Sequence, residues 1–323
     1  MRRPYRRRVV GVIGLIFVVP LLAACGQPAA QPQGGDLQGT LTVSGANALY
    51  PLMVQWSQEF KKIHPNVNFD VAAGGAGKGM TDVLSGVSDI GMVSRSITPQ
   101  EEGNGAYWVP VVKDSVFPVI NAQNPVLKDL LAHGVSHDVF VKIFLTGEIK
   151  TWGEVVGRPE VKDEVHIYTR SDSSGAADAW AGYLGKKQDA LKGIGVNGDP
   201  GMLDTLVKDP LGIGYSNLAY AYEAATGKPF NGLTILPVDA NNNGQTDAEE
   251  LLDTRAKAIV AVANNKYPAP PIRPDNLVTR GKPSGLAQAF LLWVLTDGQK
   301  YVDSAGLVPL PPDQLNSSMA KVQ

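Results

Sequence analysis

The chain has 323 residues, with 29 Lys and Arg against 31 Asp and Glu for a formal net charge of −2, and 44% of its residues are hydrophobic. That length and composition suit a globular protein with room for two lobes. The balance of charge excludes nucleic-acid binding through a general basic field, and the single cysteine, Cys25, excludes an internal disulfide.

The first 24 residues differ from the rest. Five arginines (Arg2, Arg3, Arg6, Arg7, Arg8) precede sixteen mostly apolar residues that end at Ala24. A basic start, a short apolar run and small residues before a cleavage point predict a signal peptide over 1–24. The run is short for a membrane span, and Pro20 interrupts it. Leu22-Ala23-Ala24-Cys25 resembles a bacterial lipobox, which implies that Cys25 becomes the lipidated first residue of an exported, membrane-anchored protein. Residues 25–37, rich in Gln, Pro, Ala and Gly, read as a flexible tether. Cleavage leaves 24 cationic against 31 acidic side chains, a net of −7. An anion must then be held locally, by backbone amides and one or two cations. No later apolar segment is long enough to cross a bilayer.

Strand-like and helix-like runs alternate from there on, which predicts α/β layers. Residues 40–44 form a strand. Leu49, Leu52, Met53, Trp56, Phe60 and Ile63 mark one face of a helix by their spacing of three and four. Strands are expected at 67–72, 89–94, 116–121, 165–170, 212–216, 234–238 and 276–280. Helices are expected at 80–87, 126–132, 138–145, 174–184, 248–264 and 284–301. Three strand-to-helix junctions are rich in Gly, Ser and Ala: 44–48, 74–79 and 170–176. Small residues let backbone approach a ligand closely, and helix N-termini offer unpaired N–H groups with partial positive charge. Three such junctions, one opened by Arg170, point to an anion site.

Several catalytic motifs fail. The Gly75-Ala76-Gly77-Lys78-Gly79 loop is no Walker loop, because position 72 is Ala and Gly79 stands where Ser or Thr belongs. Met80 breaks the dinucleotide fingerprint, and no Gly-x-Ser-x-Gly elbow is present. His133 and His137 have the i, i+4 spacing of zinc ligands but no evident third ligand. No pair of nucleophile and base stands out.

Other segments resemble the phosphate-binding proteins of ABC importers, within the type 2 periplasmic solute-binding family. The resemblance rests on Asp89-Ile90-Gly91-Met92-Val93-Ser94-Arg95, on Thr146-Gly147-Glu148-Ile149 with Trp152, on Arg170–Gly175, and on Gly212-Ile213-Gly214-Tyr215. Tyr267-Pro268, Arg273-Pro274 and Leu277-Val278-Thr279 follow in the family's order, so the match spans about residues 40–312. It implies a two-lobe α/β fold with a hinge of two crossing strands. Lobe I would hold 38–115 plus 270–323, and lobe II 116–269. It implies an oxyanion, phosphate first, delivered to an ABC permease and ATPase by a monomer that needs no catalytic cofactor.

The resemblance also implies ligands. Arg170 would pair with the anion through two parallel hydrogen bonds, and Asp172 would orient it. Ser174, Gly175 and Ala176 would act from a helix start, facing backbone amides of Leu49 and Tyr50. The chain departs from the family where Leu49 and Ala176 replace threonine, where Ala76-Gly77-Lys78 replaces serine, and where Ser94 replaces an aspartate that accepts the phosphate proton. Lys78 and Arg95 are expected either to supply charge in place of these lost groups or to face solvent. A serine at 94 should tolerate both phosphate and sulfate.

A second motif stands apart. Asp239, Asn241, Asn243, Gln245, Asp247 and Glu250, with Gly244 at the turn, match an isolated calcium loop over 239–250 that would open the helix 248–264 and serve a structural role. Two further functions stay open: a secreted phosphoryl-group hydrolase using Ser173 or Ser174, and an anion-sensing or adhesion surface protein.

Overall fold

The structure is a computed structural model that describes residues 37–323; the signal peptide and Cys25 lie outside the described residues. Two five-stranded mixed sheets organise the chain. In the first, Gly39–Gly45 lies between Val67–Ala73 and Ile90–Val93, parallel to both, and Arg273–Arg280 runs antiparallel between Ile90–Val93 and Ala106–Asp114. In the second, Val116–Asn121 pairs antiparallel with Leu233–Ile235 and Gly212–Asn217, and His166–Arg170 pairs parallel with Gly212–Asn217 and Ile194–Val196.

Each sheet has its own core. In the first, the helix Tyr50–Ile63 opens with Pro51, whose missing N–H costs nothing in a first turn. It buries Leu52, Met53, Trp56 and Phe60, with Phe60 meeting Phe290 edge-on at 5.2 Å. In the second, Phe117, Phe140, Phe144, Trp180 and Tyr215 are fully buried, and Trp180 stacks on Tyr215 at 5.9 Å. Each such side chain contributes about 1.5–3 kcal/mol on leaving water. Only Ser115 separates the strand Ala106–Asp114 of the first sheet from Val116–Asn121 of the second, and the chain returns into the first sheet at Arg273. The result is the two-lobe α/β fold with two crossings that the resemblance implied.

Several element boundaries differ from expectation, four of them for a clear physical reason. The helix expected at 80–87 is Ala76–Ser85 and takes in the glycine-rich loop. Gly79 lies inside it because a Cβ there would sit 2.7 Å from the Met92 carbonyl oxygen and 2.8 Å from that of Ser44. The strand expected at 234–238 is split. Leu233–Ile235 joins the second sheet, while Val238–Asp239 pairs with Val135–Ser136, and Pro237 between them has no N–H to give a ladder. The helix expected at 248–264 is Arg255–Ala263, capped by Thr254, whose Oγ1 accepts from the Lys257 N–H. The helix expected to run to 301 stops at Leu295, and a 3-10 turn, Asp297–Tyr301, follows. Its Gly298 carbonyl accepts from Trp56 Nε1 at 2.8 Å, a tertiary contact that fixes the break.

Candidate functional site

The Gly- and Ser-rich junctions meet at the C-terminal ends of the parallel strands, where α/β sheets place ligands. Arg170 ends the strand His166–Arg170, and Ser174 caps the helix Gly175–Tyr183 that follows. Across the cleft, Gly74-Gly75 leads into the helix Ala76–Ser85, and Ser94 follows the strand Ile90–Val93.

Arg170 is the best-buried cation of the site, its side chain 1% exposed. Its Nε and Nη2 donate to the two oxygens of Asp172, both at 2.7 Å, and Nη1 donates to Asp199 Oδ2 at 2.8 Å. Burial works against the charge of Arg170, but Asp199 and Asp172 outweigh it and push the pKa up. A guanidinium has five N–H donors. These bonds use three and leave two for an anion, in a fork already aligned by Asp172.

The helix-start groups are partly committed. Ser174 Oγ accepts from the Ala176 and Ala177 amides at 3.1 and 3.3 Å, and the Ser174 amide donates to Gln188 Oε1 at 3.0 Å. Ser174 is therefore a helix cap in this arrangement. The Asp178 amide goes to the Ser174 carbonyl, so Gly175 is the first-turn amide left for a ligand. Facing it, Ser94 is 2% exposed, and its side chain lies directly against Gly175. Leu49 puts its side chain wholly into the first core, as its apolar character requires, and only its backbone can serve an anion. Tyr50, at the start of its helix, is half-buried.

Each of the two substitute cations is paired with a carboxylate of its own lobe. Lys78 is paired with Asp82 one turn along its own helix and is half-exposed. Arg95 makes a two-bond pair with Glu101, at 2.7 and 3.0 Å, and a third bond to the Ser96 carbonyl. It lines a cavity of about 460 Å³ together with Asp172, Ser173, Ser174, Lys187 and Gln188, so it borders the loop that follows Arg170.

Three contributors were missed by sequence reasoning. Asp199, fully buried, accepts from Arg170, Ser216 Oγ (3.1 Å) and Asn217 N and Nδ2 (3.0 and 2.8 Å). Gln188 braces the Arg170–Ser174 loop, its Nε2 donating to the Asp172 carbonyl at 2.6 Å. Arg273, at the return crossing, donates Nε to the Ser94 carbonyl at 2.6 Å and Nη2 to Asn217 Oδ1 at 2.6 Å and Asp114 Oδ2 at 3.1 Å. One buried polar chain thus runs from Arg170 through Asp199 and Asn217 to Arg273 and the opposite lobe. The sequence signal for Asp199 is a fourth strand-to-helix junction, Val196-Asn197-Gly198-Asp199-Pro200.

The loop 239–250 is closed by its own hydrogen bonds. Asp239 accepts from the Asn243 and Gly244 amides at 3.1 and 3.0 Å, and Glu250 from the Ala240 and Asp247 amides at 2.8 and 3.0 Å. Asn241 and Asn243 both turn Nδ2 toward Asp247 Oδ2. Among the described residues no three of His, Cys, Asp and Glu gather into a metal cluster. Glu250 also does not open a helix, which starts five residues later at Arg255. His133 Nδ1 contacts the Gly244 carbonyl and His137 Nε2 that of Tyr183, so the two histidines face different partners.

Comparison with known proteins agrees with this fold. The profile of the PBP superfamily domain matches residues 30–298. The phosphate-binding protein PstS of Methanocaldococcus jannaschii is 26% identical, covering 94% of this chain and 92% of its own. That of Bacillus subtilis is 25% identical, covering 94% and 95%. A Clostridium perfringens structure with bound phosphate superposes with a TM-score of 0.69 at 21% identity, covering 84% of this chain and all of its own, and so shares the fold. With a profile match over most of its length, the chain belongs to the PBP superfamily, in its two-lobed type 2 form.

Proposed function

We propose that this protein captures phosphate or a closely related oxyanion between its lobes and delivers it to an ABC permease and ATPase. The observation that carries the reading is Arg170: buried at a strand end, aligned by Asp172 and Asp199, with two N–H groups left over. Full-length relatives named for phosphate binding support it. An anion that touches both lobes only in the closed form shifts an existing open–closed equilibrium toward closure. Because two carboxylates offset the Arg170 charge, recognition rests on directed N–H donors more than on net charge.

The same reading places the protein outside the cell membrane, held by lipid on Cys25. Support comes from the basic and apolar residues before it. Mass spectrometry of the mature N-terminus checks this; an unlipidated start far downstream of Cys25 rules it out. We also infer that the loop 239–250 takes a structural calcium ion, weakly. Its six ligand positions keep the calcium-loop register, but Asn241 and Asn243 must turn their amides to offer oxygen.

Calorimetry of the processed protein against phosphate, sulfate, molybdate and tungstate tests the ligand. With a serine hydroxyl at 94, able to donate or accept, phosphate and sulfate should both bind. Ser94→Asp is a poor converse test, because Ser94 has no room against Gly175. Complete rejection of sulfate, relaxed by Asp172→Asn, would instead make Asp172 the acceptor of the phosphate proton. A buried acceptor that lacks its donor is costly enough to discriminate in that way.

A further inference from the structure

Two glycines at the cleft have no local reason to be glycine. Gly77 lies in the first turn of the helix Ala76–Ser85, and Gly175 opens the helix Gly175–Tyr183. Neither has a positive φ, unlike Gly75 at +91°. Glycine weakens a helix relative to alanine, so something outside each helix must demand it.

The opposite lobe supplies that demand. A Cβ on Gly77 would lie 2.1 Å from Ser173 Oγ and 2.4 Å from Ser173 Cβ. A Cβ on Gly175 would lie 2.1 Å from Ser94 Oγ and 2.3 Å from the Ser94 carbonyl oxygen. Between the lobes runs a direct hydrogen bond, from the Gly77 N–H to the Ser173 carbonyl at 3.0 Å. A first-turn amide has no partner in its own helix. This one is satisfied across the cleft by protein, so it is no longer available to an anion.

We propose that Gly77 and Gly175 form a latch: the lobes close until these two Cα atoms touch Ser173 and Ser94, and the Gly77–Ser173 hydrogen bond holds them there. The latch makes no contact with the ligand; it sets how tightly the cleft can shut and how much of the anion-free protein is closed in the open–closed equilibrium. Any side chain at either position props the lobes apart and lowers affinity, and at Gly77, whose amide is already bonded to Ser173, it does so without touching the anion. The inference rests on the capture reading only for the ligand arm of its test.

The two contacts differ in a way that can be tested. Gly77 faces the side chain of Ser173, with the carbonyl oxygen at a comfortable 3.6 Å from the added Cβ. Truncating Ser173 should therefore make room for an alanine at 77. Gly175 faces the Ser94 backbone, which no substitution at 94 removes.

The experiment compares wild type, Gly77→Ala, Ser173→Gly, their double variant, and Gly175→Ala with and without Ser94→Gly. Three quantities are read on the full processed chain: melting temperature without anion, radius of gyration by X-ray scattering with and without saturating inorganic phosphate, and phosphate affinity. Gly77→Ala should keep or raise the anion-free melting temperature, since alanine favours the helix. It should also enlarge the anion-free radius, stay enlarged with phosphate, and lose about tenfold or more in affinity. Adding Ser173→Gly should return radius and affinity to near those of Ser173→Gly alone. Gly175→Ala should lose affinity and not be rescued by Ser94→Gly. Wild-type closure or affinity in Gly77→Ala overturns the proposal, and so does a double variant no better than Gly77→Ala. A fall in anion-free melting temperature that Ser173→Gly does not repair would assign Gly77 to folding of its own lobe and also overturn it. If the wild type ignores phosphate, the capture reading fails, and the anion-free radii of Gly77→Ala and the double variant still decide the latch.

Discussion

Asp275 and Asp114 show what single residues cost at the crossing. Both are fully buried, and neither Asp275 oxygen has a hydrogen-bond partner; one lies 3.7 Å from Arg273 Nε. Arg273 is the cation bonded to Asp114, and Asp199 stands nearby with its own charge. Burial, with the Asp114 charge next in weight, pushes the Asp275 pKa well above the usual 3.8. Burial likewise pushes Asp114 up, against the pull of Arg273. A carboxyl whose pKa is raised by folding stabilises the fold most below its unfolded pKa, and that contribution is lost as pH rises through the folded value. Stability should therefore decline as pH is raised from about 4 toward about 6, the value to which Asp114 is pushed, with Asp275 acting in the same direction. Asp82, Glu101 and Asp209, held low by their partners, give the opposite slope under more acid conditions. Asp275→Asn should flatten the decline and stabilise the protein at neutral pH in urea denaturation. Unchanged pH dependence in that variant would mean that Asp275 is not the proton holder.

Among elements, those with short-range causes were legible. Val116–Asn121 is a run of β-formers bounded by turn residues, and the sequence places it at the observed ends. The apolar spacing from Leu49 to Ile63 marks the first long helix in the same way. What stayed hidden depends on partners far along the chain. Glycines 77 and 79 read locally as loop, yet they lie in a helix, where the Ser173 side chain at Gly77 and neighbouring backbone at Gly79 leave no room for a Cβ. Arg170 and Asp172 were legible as a motif, whereas Asp199 meets Arg170, and Arg273 joins through Asn217, only after folding. The loop 239–250 is an intermediate case, with the spacing of a cation loop but amide nitrogens turned inward. If it binds calcium, chelator should lower the melting temperature of the wild type, because an ion that binds only the native state stabilises it by mass action. Glu250→Gln should remove that response and leave anion affinity alone. A wild type indifferent to chelator would make the segment a hydrogen-bonded turn.

At the scale of the molecule, the buried chain Arg170–Asp199–Asn217–Arg273 links Arg170 to the crossing strands, so under the proposed function occupancy and lobe closure would share the same side chains. Breaking a buried ion pair by removing one partner leaves an uncompensated charge. An Arg170 variant must therefore be checked for folding before its binding is interpreted. With that control in place, a calorimetric phosphate titration of wild type beside Arg170→Ala tests capture between the lobes most directly. The wild type should bind with a Kd of about 1 μM or below, equivalent to about 8 kcal/mol, and the Arg170→Ala protein, folded by circular dichroism, should give no binding heat. Phosphate binding by folded Arg170→Ala within about threefold of wild type, roughly 0.7 kcal/mol, would contradict it.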